Sequence, residues 1–190
     1  MAVMGDTKVD IVDIEVRGEV DVVAVHDRMR EWLLDRGVIR DERDSALGGG
    51  VLWLPGPAAT TTVDLDPGRE MWSEGVEFVS ARQVFSPVEL VGRAARCPRC
   101  GGEEDCDAWQ ARSWDVFNEW WDSDGVDLLP CARCGADLRV SDWEWVDGER
   151  WALGEFAISF WNWWQPLSEE FVADLTRELG HETCVISVRM

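Results

Sequence analysis

Two segments constrain this chain more than any others: CPRCG at residues 97–101 and CARCG at residues 131–135. In each, two cysteines three residues apart sit in a tight turn, so both sulfurs can face one ion. The glycine that follows permits backbone geometry a side chain would obstruct. Two such turns supply four thiolates at the corners of a tetrahedron, which is the arrangement Zn²⁺ takes in structural sites. Cys97, Cys100, Cys131 and Cys134 are therefore the expected metal ligands, with structural Zn²⁺ as the cofactor. Thirty residues separate Cys100 from Cys131, more than a minimal ribbon requires, so a further element is expected between the turns.

The paired turns resemble the two knuckles of a zinc ribbon. The resemblance covers the middle of the chain only and implies a metal, not a function, because zinc ribbons serve many roles. Rubredoxin is similar in pairing such turns around iron, but its aromatic landmarks are not evident here. A thioredoxin-like redox pair needs one Cys-x-x-Cys at a helix start, not two matched knuckles. Four thiolates leave zinc no open position for water, so the expected role of the ion is to replace a hydrophobic core in a small insertion. Cys106 then reads as a bystander and Cys184 as a small core residue.

Hydrophobic periodicity organises the rest. KVDIVDIEV reads as a strand, and residues 19–36 as a helix with Val22, Val25, Met29, Trp32 and Leu33 on one side and Gly37 closing it. DERDSALGGG reads as a polar loop, and VLWLP, GVEFVSARQVF and VELVGRAAR as strands. RWALGEFAISFWNWW reads as a strand or bent strand; Ser168 opens a second helix, Gly180 closes it, and CVISVRM ends the chain as a strand. Strand–helix–strand at both ends predicts an α+β protein with a βαββαβ-like, ferredoxin-like layer. Residues 1–93 and 147–190 would form that core, and residues 94–146 an inserted zinc-ribbon subdomain with a tryptophan-rich helix, AWQARSWDVFNEWWDSDG.

Function is less constrained. The chain carries 38 acidic against 18 basic residues, a formal charge of −20, which repels nucleic acid and anionic membranes and favours basic partners. No apolar run approaches the ~20 residues of a membrane span, and the first residues lack a signal-peptide pattern, so a cytoplasmic protein is expected. Ten of the thirteen tryptophans lie from Trp109 onward, and tryptophan is enriched at binding hot spots. DWEWVDGERW predicts a hairpin turning at Asp147-Gly148, with Trp143 and Trp145 on one face. Trp161 and Trp163 would share a face of their strand. These four are the expected partner-binding residues. Catalytic patterns are thin: two histidines, one within each helical region or just beyond it, and no phosphate loop, since LGGGVLW precedes a strand. The expectation is a non-enzymatic protein-binding adaptor, of which an immunity or inhibitor protein is one kind. The alternative is nucleic-acid binding through Arg93, Arg96, Arg99, Arg133 and Arg139, which cluster around the knuckles.

Overall fold

The computed structural model describes residues 7–45, 50–64, 73–87, 94–122, 127–145, 150–163 and 165–189. Strand β1 (Thr7–Asp13) leads into helix α1 (Glu19–Asp35), then β2 (Ile39–Ser45), β3 (Val51–Pro55), β4 (Gly75–Val79) and β5 (Gln83–Phe85). The middle holds β6 (Ala94–Arg96), β7 (Glu103–Asp105), α2 (Cys106–Asp122), β8 (Leu128–Pro130), β9 (Asp137–Arg139) and β10 (Glu144–Trp145). The chain closes with β11 (Ala152–Gly154), β12 (Phe156–Trp161), α3 (Glu169–Leu179) and β13 (Thr183–Arg189).

The protein is α+β, as expected, and both terminal strand–helix–strand units contribute to one antiparallel sheet of order β13-β1-β12-β4-β3-β2. The ferredoxin-like topology is not evident. Six strands replace the four expected, because a hairpin-linked run, β2-β3-β4, follows α1. The segment read as a polar loop supplies most of one of them: Asp41 to Ser45 are exposed in β2 at the sheet edge. Charged residues run consecutively there without a buried face, which is how edge strands resist pairing with other chains and why hydrophobic periodicity does not reveal them.

Helices α1 and α3 cover one face of this sheet. Val22, Val25, Met29 and Leu33 from α1 pack with Phe171, Leu175 and Leu179 from α3 onto Ile11, Val76, Phe156, Ile158 and Phe160. Val12, Ala157, Cys184 and Ile186 point to the opposite face, against Phe85 and Ala152 of a two-stranded β5–β11 ribbon. The centre of the six-stranded sheet is thus covered on both sides, which explains why all of β12 is buried. Gly37 and Gly180 close α1 and α3 at φ +68° and +74°, as their positions predict. The Ser168 hydroxyl accepts a 3.2 Å hydrogen bond from the Phe171 N–H at the start of α3. Ser168→Ala is expected to cost about 1 kcal/mol by removing this cap, measurable as a lowered urea midpoint with unchanged slope.

A second core forms from the middle of the chain. Trp109, Phe117 and Trp120 of α2 pack with Ala95, Leu129, Leu138, Trp143 and Trp145, and Trp151 and Leu153 complete the cluster from beyond β10. The two cores meet at Arg82. Its Nε donates to Glu155 Oε1 at 3.0 Å and its Nη1 donates to the Trp120 carbonyl at 3.0 Å. Glu155 is nearly inaccessible, and its other oxygen accepts a 2.6 Å bond from the Gly18 N–H at the start of α1. One buried carboxylate thereby ties both helical layers together. No helix among the described residues is long and apolar enough to cross a membrane.

Candidate metal centre and the surface of the second helix

Each Cys-x-x-Cys turn is the tip of a short hairpin. Arg96 pairs with Glu103 to close residues 97–102, and Pro130 pairs with Asp137 to close residues 131–136. The two loops repeat the same backbone bonds. Cys97 N–H donates to the Gly102 carbonyl at 2.9 Å and Gly101 N–H to the Cys97 carbonyl at 2.9 Å; Cys131 N–H donates to the Ala136 carbonyl at 2.8 Å and Gly135 N–H to the Cys131 carbonyl at 2.9 Å. Gly101 and Gly135 take φ +64° and +70°, the left-handed conformation that a side chain disfavours. Equal loops with equal hydrogen bonding are why two such short motifs meet symmetrically.

The four sulfurs lie within 4.8 Å of one another. Cys97 Sγ is 4.0 Å from Cys134 Sγ, and Cys100 Sγ is 3.9 Å from Cys131 Sγ. A tetrahedron of Zn–S bonds of about 2.3 Å has edges of about 3.8 Å, so the donor set fits Zn²⁺ in both chemistry and spacing. Cys97 and Cys131 are buried, whereas Cys100 and Cys134 face solvent. The Gly102 N–H lies 3.4 Å from Cys100 Sγ, where it can steady a thiolate. Burial pushes the Cys131 thiol up, but the N–H groups of Cys134 and Arg133, with the adjacent sulfurs, outweigh it and bring it down to about 7. For Cys134 the Ala136 N–H acts downward, yet desolvation and the three neighbouring sulfurs hold it up at about 11.

No family model, curated protein or solved structure matches this chain.

The helix between the knuckles braces them. Cys106 begins it and is buried, its thiol pushed up by burial and by Asp107 and Asp105, and it is not one of the four clustered sulfurs. Arg112, which the sequence reading passed over, donates from Nε to Glu104 at 2.7 Å and from Nη1 to the Pro130 carbonyl at 2.6 Å. It thus joins β7 of the first hairpin to β8 of the second. An arginine six residues after Cys106, on the helix face toward both hairpins, is a signal recognisable only once the helix register is known.

Two of the arginines around the knuckles pair with acids. Arg96 pairs with Glu103 at 3.0 Å and Arg139 with Glu182 at 3.5 Å. Arg93 lies outside the described residues. Arg99 and Arg133 are exposed at the two tips. Arg133 leans over the first knuckle: a Cβ on Gly102 would sit 2.7 Å from its Cδ and 3.2 Å from Cys100 Sγ. That places a cation beside a centre that carries a formal charge of −2 when four thiolates hold Zn²⁺.

The four tryptophans expected at an exposed surface are buried. Trp143, Trp145, Trp161 and Trp163 are 1%, 2%, 8% and 4% exposed. Trp143 and Trp145 stand 6.1 and 5.4 Å from Trp109, edge to face, because α2 lies across β10. The turn expected at Asp147-Gly148 lies outside the described residues. Trp161 and Trp163 do not share a face: Asn162, at φ +51°, interrupts the alternation. Trp161 packs on Leu52 and donates to Glu77 at 2.9 Å, while Trp163 packs among the helices and donates to Thr62 at 2.9 Å. Among the described residues the exposed tryptophans are instead Trp114 and Trp121 of α2, at 64% and 53%. The helical stripe Trp109, Ser113, Phe117 and Trp120 is the buried one, which leaves Trp114 and Trp121 on the outer side. They flank a groove of about 290 Å³ floored by Phe117 and Trp151, whose rings stack at 5.5 Å.

Proposed function

We propose that this chain is a non-enzymatic, cytoplasmic binding protein in which Zn²⁺ held by Cys97, Cys100, Cys131 and Cys134 organises a ribbon that presents α2 to a partner protein. The observation that carries the reading is the exposure of Trp114 and Trp121 above an aromatic groove. Large apolar side chains left in water beside a groove are costly to maintain unless something covers them. The charge of −20 favours a partner with a basic surface, as an inhibitor or immunity-type protein would meet. The zinc is structural in this reading, since four thiolates close its coordination. Capture of partners on the immobilised native chain, compared with Trp114→Ala/Trp121→Ala and with chelated protein, tests it. Both treatments should release the same partner, and a partner retained by both places the binding surface elsewhere.

The competing reading is nucleic-acid binding, favoured by Arg99 and Arg133 exposed at adjacent knuckle tips. Mixed-sequence single strands should bind negligibly at low salt, because the net charge opposes them. Micromolar binding that falls steeply with salt and disappears in Arg99→Ala/Arg133→Ala would replace the first reading with this one.

A further inference from the structure

Cations in this protein sit repeatedly on tryptophan faces. Arg36 lies 4.3 Å from the ring centre of Trp32, Arg43 and Arg30 lie 4.3 and 5.4 Å from Trp53, Lys8 lies 5.3 Å from Trp161, and Arg82 lies 5.7 Å from Trp120. Trp114 and Trp121 are more exposed than any of these, and among the described residues neither has a cation over its ring. Their surroundings are nonetheless built for one. Asp115 and Asp122 are exposed on the same helix, and its last turn contains no basic residue. Asp122 lies in the last turn of α2 and opposes the helix dipole, so positive charge brought to that end is favoured.

We infer that the outer face of α2 binds a basic amphipathic segment of a partner protein, with arginine side chains over Trp114 and Trp121 and an aliphatic side chain in the groove between them. This rests on the reading that α2 is a protein-binding surface and specifies what occupies it. Three features select that chemistry. Tryptophan is the best cation–π acceptor, and arginine the more frequent cation on it. The groove, at about 290 Å³, lies at the lower end of small-molecule pockets and suits one or two side chains over its Phe117 and Trp151 floor. Trp114 and Trp121 are seven residues apart, about 10 Å along the helix, which matches the two-turn spacing of anchors on an amphipathic partner. A second copy of this chain would bring the same carboxylates face to face, and nucleic acid would meet them with its phosphates.

The test uses the full-length, zinc-loaded chain and an 18-residue helical peptide of leucine, alanine and arginine with one apolar and one basic face. Indole N–H signals are followed by ¹⁵N NMR, assigned by single Trp→Phe changes. The inference expects saturable shifts of the Trp114 and Trp121 signals. Trp114→Ala or Trp121→Ala should weaken binding about tenfold, as loss of a hot-spot aromatic does. Asp115→Asn/Asp122→Asn should weaken it severalfold and flatten its salt dependence, whereas Asp41→Asn/Glu42→Gln on β2 should not. A peptide with glutamate in place of arginine should not bind. If a peptide with serine in place of leucine binds equally well, or if the β2 changes weaken binding as much as those on α2, the attraction is diffuse charge and the inference fails. It also fails if the arginine peptide does not bind while partner capture still depends on Trp114 and Trp121; that outcome leaves the surface reading standing with a different occupant.

Discussion

Cys131→Ser should abolish the one zinc per chain expected of purified protein and unfold the ribbon, while the six-stranded sheet remains cooperative. Cys131 is buried, and its N–H to the Ala136 carbonyl at 2.8 Å shapes the knuckle. A structural zinc site contributes apparent free energies on the order of 10–16 kcal/mol in small zinc domains. Among the described residues, 94–145 hold a three-stranded sheet, a two-stranded sheet, one α-helix and a short 3-10 helix, too little regular structure to spare that contribution. A strong chelator should act like the substitution. Tryptophan dichroism lost in the stripped protein and regained when zinc is restored, with the transition of the six-stranded sheet kept on heating, would be the signature; near-ultraviolet dichroism is a sensitive probe because so many tryptophans lie in the ribbon core. Acid should release the ion as well, because protons compete with zinc for thiolates. Metal-free protein that keeps the tryptophan signature and a single unchanged transition would show that the ribbon folds on its aromatic core alone.

The sequence made the knuckles legible because their chemistry is local. Residue type, a three-residue spacing and a glycine suffice to fix a sulfur pair, and two identical loops imply one site. The helices were legible for the same reason: apolar spacing, Ser168 at one start and glycines at both ends. What sequence reading missed depends on distant packing. Strand β2 has no buried face beyond Ile39, so alternation could not reveal it. Trp161 and Trp163 have strand spacing, yet the positive φ at Asn162 sends them to opposite faces. For α2, the choice between Trp109, Phe117 and Trp120 inside and Trp114 and Trp121 outside depends on which side meets Trp143 and Trp145. Several apolar stripes on one helix look alike until a neighbour selects one. The same reason hid Arg112, whose carboxylate and carbonyl partners belong to different hairpins.

Trp109→Ala should destabilise the ribbon by about 3–5 kcal/mol, the range for removing a large aromatic from a core. Trp109 is fully buried and central: ring centres of Trp145 and Trp151 lie 5.4 Å away, and those of Phe117 and Trp143 lie 6.1 Å away. Its removal exposes four rings to one cavity, and the neighbours cannot close in together because each is anchored on a different element. Phe117 belongs to α2, Trp145 to β10, Trp143 to the segment before it, and Trp151 to the approach to β11. One term offsets part of the loss. The Trp109 indole N–H is buried with no hydrogen-bond partner among the described residues, as are those of Trp143, Trp145 and Trp151. An unsatisfied buried donor costs about 1–3 kcal/mol, so Trp109→Phe, which keeps most of the ring area and removes the donor, should cost much less than the alanine change. The pair of variants separates ring packing from hydrogen bonding. Denaturant titration with zinc held saturating, so that metal loss does not add to the difference, should place Trp109→Phe close to the native protein and Trp109→Ala far below it. Equal destabilisation by both would mean that the indole N–H has a partner, an ordered water being the natural one, and that the hydrogen bond rather than the ring holds this core together.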